Sequence, residues 1–324
     1  MTRILAKHGW SLGLSALFLS LLIFTKLIQP GFGLSGLDSL ARATLPFAFA
    51  TAAMTVVVLA GGIDLSVASM MAVASVTGAR LMDGASESQS VAVVAFVLLV
   101  GLAMGAMNGL LIVLTKVPDI VVTLSMLFVW EGVALLILQG PEGSCAVWLT
   151  ELIRGGLTLP LIPDALTVWL PKGAVLVIVV LAVIWVPVRL SKLGLSIYAV
   201  GSDSLAAFRS GVSLGRTRIA AYAIAGLFAA FGGLALTMAT GIGEPIPGPY
   251  LMASVAAVVL GGVALTGGKG GLIGPILAVF ILRLVRMDLT LMSVDPNVTT
   301  IIEGTIMVVV VMFGGLLAVR GRMR

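Results

Sequence analysis

One charged residue stands inside the long apolar stretch between Arg42 and Arg80, and it constrains how the chain can fold more than any other feature. This residue is Asp64, in the segment 61–66 (GGIDLS), which separates two hydrophobic runs. An ionisable side chain in such a place is costly to expose to lipid, so it faces a bundle interior or a water-filled path. The glycines allow backbone conformations that a continuous helix excludes. The sequence therefore predicts a broken span beside a permeation route. The residues placed on that route are Gly61, Gly62, Asp64 and Ser66.

The composition indicates a polytopic membrane protein. Hydrophobic residues make up 60% of the chain, charged residues only 10%, and the mean hydropathy is +1.19, far from the values of soluble proteins. A spanning helix needs about 20 largely apolar residues, and uncharged windows of about that length recur along the 324 residues. We predict an all-α fold of about ten transmembrane helices with broken or re-entrant segments, in a single domain 1–324. A barrel would show alternating ten-residue segments instead.

Basic residues predict the orientation, because they favour cytoplasmic loops. With ten spans and an inner amino terminus, twelve Lys and Arg side chains fall in inner loops and seven in outer loops. The outer group includes Arg283 and Arg286, accompanied by the acids Asp288 and Glu303. We therefore predict both termini in the cytoplasm. The net charge of +5 follows from this asymmetry and calls for no nucleic-acid partner.

Two connections are long enough to meet other proteins: the outer segment 141–171 and the inner segment 189–218. The centre of the inner segment reads as a helix, Leu205 to Arg209, with Ser202, Asp203 or Ser204 as its N-cap and Gly211 at its end. So short a helix is marginal alone in water and needs a supporting contact. A protein-docking surface and a connector lying on lipid headgroups both satisfy that need.

Four ordered blocks carry a family resemblance that extends over most of the chain. They are 59–66 (LAGGIDLS), 116–124 (KVPDIVVTL), 198–212 (YAVGSDSLAAFRSGV) and 256–275 (AAVVLGGVALTGGKGGLIGP). In order and spacing they resemble the permease subunits of ribose-type bacterial ABC sugar importers. The resemblance implies a pore made by two permease subunits, identical or not, in the inner membrane. It also implies a cytoplasmic ABC ATPase docked on each subunit and a periplasmic binding protein that delivers a monosaccharide or another small polar solute.

Two residue sets follow from these blocks. The proposed ATPase-coupling residues are Gly201, Ser202, Asp203, Leu205, Ala206, Ala207, Arg209 and Gly211. The translocation path is extended from 61–66 by Thr123, Ser125, Glu131, Gly261 and Gly262. The chain departs from the family pattern at Ala68, Asp119, Ile120, Glu131 and Asp203, and these departures bear on the substrate and not on the fold.

The segment 58–66 also matches 258–266, sharing a Gly-Gly pair and a leucine at equal offsets. Internal repeats often line transporter paths, although packing of small residues or chance also explains so short a match. If the repeat is real, both Gly-Gly breaks should approach one central route.

Alternative functions depend on single residues or short stretches of the chain. The stretch 262–270 superficially resembles a phosphate loop, but its Lys269 is one place late and lacks the following Ser or Thr, so ATP hydrolysis is assigned to a partner. The chain is predicted to be no enzyme and to hold no cofactor or metal, with Cys145 and His8 unable to form a disulfide or a catalytic pair. A secondary transporter using Asp64 or Glu131 as an ion site, and a non-transporting scaffold, remain as alternatives.

Overall fold

The structure is a computed structural model that describes residues 2–158, 167–246 and 248–322. Within these residues the fold is built from helices, with two isolated β-bridges and no strand. The thirteen helices of this part are α1 Thr2–Ile28, α2 Leu34–Leu59, α3 Val67–Met82, α4 Glu87–Thr115, α5 Asp119–Ile137, α6 Val147–Ile153, α7 Lys172–Leu190, α8 Lys192–Ser202, α9 Ser204–Arg209, α10 Leu214–Thr240, α11 Tyr250–Leu260, α12 Ile273–Leu291 and α13 Pro296–Arg322. The predicted all-α class is confirmed.

Helix α2 forms the centre of the bundle. Every residue from Thr44 to Leu59 is buried, as expected for a helix that is apolar on all sides. Helices α10, α11 and α12 pack against it, α3 packs against α10, α4 and α5, and α1 lies at the periphery against α12. The segment that follows α2 is therefore enclosed by protein.

Small residues bring α4 and α10 into close contact. Gly101, Gly105 and Gly109 repeat every four residues along α4 and face α10. A Cβ atom added at Gly105 would lie 2.1 Å from the carbonyl oxygen of Tyr222. Side chains at these positions would push the helices apart, which is the usual role of small residues in membrane helix packing. This packing positions Tyr222 and Asn108 beside the first helix break.

In the part of the chain that the structure describes, six helices are long and apolar enough to cross a membrane by length and composition: α1 from Gly9, α2, α4, α5, α7 and α10. Helices α3 and α11 are apolar but shorter, with 16 and 11 residues. The count of about ten spans therefore stays a prediction.

The outer-loop assignment of four charged residues was wrong. Arg283, Arg286 and Asp288 lie within α12, and Glu303 lies within α13. The sequence pattern missed this because these charges interrupt the apolar window that would otherwise mark a span. Arg283 and Arg286 pair with Glu303 across the two helices.

The two long connections lie at opposite ends of α7. The described part of 141–171 contains α6, and residues 159–166 lie outside the described ranges. The segment 189–218 forms two helices, α8 and α9, where the sequence predicted only the second. We refer to these two sides of the bundle as the α6 end and the α8–α9 end.

Candidate functional site

The chain breaks at the first Gly-Gly pair, as the sequence predicted. Helix α2 ends at Leu59, and Gly61 has φ +83°, a left-handed conformation that favours glycine. The Gly61 amide donates to the Val58 carbonyl at 2.9 Å, and the Gly62 amide donates to the Val57 carbonyl at 3.0 Å. This pair of bonds is a Schellman cap, which satisfies the last carbonyls of the helix.

Asp64 is completely buried in the turn that leads into α3. Its Oδ1 atom accepts from the Ser66 amide at 2.9 Å and from the Ser66 hydroxyl at 2.6 Å. Ser66 directly precedes Val67, the first residue of α3. The carboxylate thus accepts hydrogen bonds at Ser66, just before α3 begins. A carboxylate in this position can serve as the acceptor of a local turn or as a buried charge.

A buried chain of hydrogen bonds extends from this turn into α4 and α5. Asn108 donates through Nδ2 to the Ser66 hydroxyl at 2.7 Å, and Trp130 donates through Nε1 to Asn108 Oδ1 at 3.2 Å. Thr123 Oγ1 accepts from the Leu65 amide at 3.1 Å. Buried polar groups of this kind are costly to leave unpaired, so the network fixes the break against two neighbouring helices.

Asp119, one of the departures from the family pattern, has a structural partner. Its Oδ2 atom accepts from the Tyr222 hydroxyl at 3.0 Å. A Cβ atom at Gly62 would lie 2.5 Å from Asp119 Oδ2 and 2.7 Å from the Tyr222 hydroxyl. Because Gly62 has no side chain, Asp119 of α5 and Tyr222 of α10 can meet beside the first break.

The second Gly-Gly pair ends α11 with the same cap. The Gly262 amide donates to the Val259 carbonyl at 3.0 Å, and the Val263 amide donates to the Val258 carbonyl at 3.1 Å. Gly262 carries the left-handed φ of +80° that Gly61 carries in the first break. The structural match is thus shifted by one residue from the sequence match, because Gly61 corresponds to Gly262.

The first break and the loop that follows the second break meet the end of α8 at a glycine junction, formed by Gly61, Gly201, Gly267 and Gly268. The Gly268 amide donates to the Leu59 carbonyl at 3.0 Å. A Cβ atom at Gly201 would lie 2.0 Å from that same oxygen and 2.7 Å from the Gly268 nitrogen. The three backbones can approach this closely only because side chains are absent.

Two side chains of α8 hold the same loop. The Tyr198 hydroxyl donates to the Gly270 carbonyl at 3.1 Å, and Ser202 Oγ donates to the Gly268 carbonyl at 3.4 Å. Burial raises the pKa of Tyr198, so its hydroxyl stays protonated as a donor. Helix α8 is therefore tied directly to the loop after the second break.

Helix α9 has the capping that the sequence predicted. Of the three candidate N-caps the structure selects Asp203, whose Oδ1 accepts from the Leu205 and Ala206 amides at 2.9 and 3.0 Å. Gly211, with φ +83°, follows its end. Ala207 is buried against the bundle, whereas Leu205 and Phe208 are 57% and 63% exposed. The apolar surface of α9 faces away from its own chain.

The other predicted path residues do not all gather at the first break. Thr123 does, but Ser125 is exposed on α5 and donates to its own helix at Val121, and Glu131 is half-buried further along α5. Gly261 packs against Pro275, so the second break closes on the start of α12. Within the described residues, no group of three or more His, Cys, Asp or Glu side chains could hold a metal ion.

The sequence reasoning missed several side chains that complete the first break. They are Asn108, Trp130 and Tyr222. Asn108 carried a usable signal, since it is the only amide side chain in the apolar run 91–115. In the sequence Trp130 and Tyr222 resemble ordinary core aromatic residues, and only the structure shows the hydrogen bonds that their polar atoms make.

The comparisons with known proteins define the class. Residues 36–311 match the family model of the branched-chain amino acid transport system permease component. This match covers most of the chain, so the protein belongs to that family. It is a multi-pass ABC transporter permease of the ribose-type sugar importers, which confirms the resemblance read from the four blocks.

Curated relatives agree with this assignment. The chain is 29% identical over 303 residues to the ribose import permease protein RbsC of Escherichia coli K12, covering 92% of this chain and 91% of the relative. The Bacillus subtilis 168 ribose permease is 29% identical over 264 residues, covering 80% and 78%. The autoinducer 2 import permease LsrD of Escherichia coli O9:H4 is 29% identical over 317 residues, covering 94% and 92%. No solved structure matches the chain significantly.

Proposed function

We propose that the chain is the permease subunit that translocates a monosaccharide or a related small polar solute into the cytoplasm. A separate ATPase supplies the energy at the α8–α9 end, and a periplasmic binding protein delivers the solute at the α6 end. The pore is formed with a second permease subunit in the inner membrane, and both termini lie in the cytoplasm. ATP and Mg²⁺ are bound by the partner ATPase.

One observation carries the proposal: a short, exposed helix with a capped start is connected to both helix breaks. Helix α9 begins three residues after Gly201, which contacts the backbone at the first break and in the loop that follows the second break. Leu205 and Phe208 offer apolar surface, and a helix of 6 residues needs a support that its own length does not give. An ATPase groove that binds α9 would move both breaks through the glycine junction.

The test replaces the exposed apolar residues of α9. Leu205→Glu with Phe208→Glu should reduce co-purification with the two-domain ATPase that accompanies the wild-type chain, and should abolish ATP-driven uptake of D-ribose, because charge is placed in an apolar groove. Ala207 is unsuitable, since it is buried against the permease itself. Leu195→Glu on α8, where Leu195 is 73% exposed, is the matched control. Normal uptake and ATPase binding in the double variant would refute the docking role.

The outer segment 141–171 supports the proposal of a second partner, the periplasmic binding protein. Glu142, Glu151 and Arg154 are exposed at the α6 end and available to a charged surface. Glu142 also pairs with Gly243, and Trp148 donates to Ser90 Oγ at 2.7 Å, contacts that a plain lid would make too. Charge reversal at both glutamates should weaken delivery by the binding protein in a salt-dependent way. Equal uptake at every ionic strength would favour the lid.

A secondary transporter is the competing function, and Asp64 gives it one observation. Asp64 is fully buried, and among the described residues its Oδ2 atom has no hydrogen-bond partner, which leaves that oxygen available to an ion or a proton. Such a protein would transport alone in a proton gradient. Purification in mild detergent followed by reconstitution separates the two functions, because only the importer needs its ATPase.

A further inference from the structure

A cavity lies between helices α1, α2, α7 and α12. Its volume of about 570 Å³ is within the range of roughly 300–1,000 Å³ that small-ligand sites occupy. Helix α12 packs against α1 and α2, and α7 packs against α2, so the cavity lies between the α1–α12 pair and α7. The first helix break is elsewhere in the bundle, where side chains of α4 and α5 bond to the turn that holds Asp64. The cavity is therefore separate from that break.

The cavity follows α7 along its whole length. The residues of α7 that line it recur every three or four positions, and the lining extends from Pro171, just before the helix, to Arg189 in its last turn. At the helical rise this stripe is about 27 Å long, close to the roughly 30 Å of a bilayer's hydrocarbon core. Spread over that length, the volume gives an average section of about 20 Å², which is too narrow for a second helix about 10–12 Å wide. An extended hydrocarbon chain has the right shape.

Two polar groups interrupt an otherwise apolar lining. The lining side chains are hydrocarbon or aromatic except for the guanidinium of Arg189 and the indole N–H of Trp185. Trp185 is only 4% exposed, and among the described residues its Nε1 has no hydrogen-bond partner. A buried donor is costly to leave unpaired, which indicates a ligand with an acceptor at this position. A sugar does not fit, because so apolar a lining would leave most of its hydroxyl groups unpaired.

Trp185 and Arg189 are spaced along α7 like the polar groups of a phospholipid. They are four residues apart, hence on one face and about 6 Å apart along the axis, with Arg189 nearer the α8–α9 end. The apolar part of the cavity extends from Trp185 toward the α6 end. A phospholipid presents its groups in the same order: a hydrocarbon chain, an ester carbonyl that accepts hydrogen bonds, and an anionic phosphate. Guanidinium groups bind phosphate strongly, and basic pockets between transmembrane helices bind lipid headgroups.

We propose that this cavity binds one membrane phospholipid, with an acyl chain between α1 and α7, an ester carbonyl bonded to Trp185 and the phosphate bound by Arg189. The lipid is a fixed ligand of the permease and not its transported solute. The inference therefore does not depend on which solute the importer carries.

A lipid in this position contacts the coupling end of the molecule. Burial raises the pKa of Tyr198, and the Arg189 guanidinium opposes that rise, so the two side chains are neighbours. The Tyr198 hydroxyl in turn donates to the Gly270 carbonyl, in the loop after the second break. Ile273, the first residue of α12, lines the cavity directly. The bound lipid thus braces the end of α7 against the loop and the helix that follow the second break.

The first experiment counts bound lipid in the complete importer. The importer is purified in mild detergent, delipidated, titrated with palmitoyl-oleoyl phosphatidylglycerol and measured by native mass spectrometry. We expect one tightly bound lipid per copy of this chain. Ala182→Trp, which fills the cavity, should abolish this binding, whereas Val183→Trp, 67% exposed on the same helix and outside the cavity lining, should retain it. Equal binding by the two tryptophan variants would show surface lipid only and overturn the proposal.

A headgroup variant keeps the proposal testable if a tryptophan variant folds poorly. Arg189 is exposed in the last turn of α7, so Arg189→Gln should fold normally. It should weaken phosphatidylglycerol binding at least about tenfold, the scale expected for losing a charged hydrogen bond. Lys192→Gln is the matched control, since Lys192 is exposed three residues later and does not line the cavity. Equal affinities in the two variants would refute the assignment of the phosphate to Arg189.

The competing occupant of the cavity is a second copy of this chain. Ile178 lines the cavity and is 65% exposed, so Ile178→Cys in a Cys145→Ser importer reports which molecule reaches it. We expect phosphatidylglycerol with a photoactivatable acyl chain to label α7 and α12, and oxidation to leave position 178 without a cross-link. Disulfide-linked dimers through position 178, without lipid labelling, would overturn the proposal in favour of a subunit interface.

Discussion

The two helix breaks share a backbone geometry but differ in what surrounds them. Gly61 and Gly262 both close a Schellman cap with a left-handed φ. The first break is enclosed by a buried polar network that begins at Asp64, whereas the second has Ala264 at the matching sequence position and is bonded from outside by Trp10. Local sequence therefore forms a break, and the neighbouring helices decide how firmly it is held.

The difference suggests unequal roles. The first break is fixed to α4, α5 and α10 by buried side chains. The second break packs on the start of α12 through Gly261 and receives a bond from the half-exposed Trp10 of α1 to the Leu260 carbonyl, 2.8 Å long. We infer that the first break is the rigid reference and that the second moves when the α8–α9 end is displaced.

The largest effect is expected where both breaks are joined. Gly201→Val puts a branched side chain where even a Cβ would lie 2.0 Å from the Leu59 carbonyl oxygen. Overpacking of this kind against backbone should cost about 3 kcal/mol or more and abolish ATP-driven uptake. Gly132→Ala on α5 is the control, because no atom lies within 4 Å of its added Cβ. A normal thermal transition and normal uptake in Gly201→Val would mean that the glycine junction does not couple the breaks.

An intermediate effect is expected when the first break alone is altered. Asp64→Leu removes both bonds to Ser66 and leaves its amide unpaired in the core, which should cost about 2 kcal/mol and most of the transport. Asp64→Asn keeps an acceptor oxygen and should retain folding and most uptake.

The Asp64 pair is read by thermal denaturation in detergent together with uptake in vesicles. If Asp64→Asn assembles normally and still abolishes uptake, the negative charge itself is required. That outcome would favour the ion-site alternative over the role of Asp64 as the acceptor of the turn before α3.

The smallest effect is expected at the second break. Trp10→Phe removes only the half-exposed bond to Leu260 and should destabilise the protein by less than about 1 kcal/mol. If this break is the mobile one, hydrogen exchange of the Gly262 and Val263 amides should accelerate, while the Gly61 and Gly62 amides stay protected. Equal protection in the two segments would contradict the assignment of mobile and rigid breaks.

Much of the coupling segment could be predicted from sequence because its signals are local. Asp203 as an N-cap and Gly211 after the helix need only their immediate neighbours. Helix α8 was missed because its apolar face extends over only 11 residues and it depends on contacts such as Tyr198 with Gly270. The register of the internal match was also wrong by one residue, since identical Gly-Gly letters do not reveal which glycine takes the left-handed conformation.

By itself the sequence determined the membrane class, the family, the positions of both breaks and the capped helix α9, because hydropathy and capping act over a few residues. Only the tertiary structure decided which polar groups meet. Asn108, Trp130 and Tyr222 reach the first break from far along the chain, and Arg283 and Arg286 of α12 pair with Glu303 of α13 instead of lying in an outer loop. A buried charge is tolerated only where a distant partner satisfies it, and composition cannot show where that partner lies.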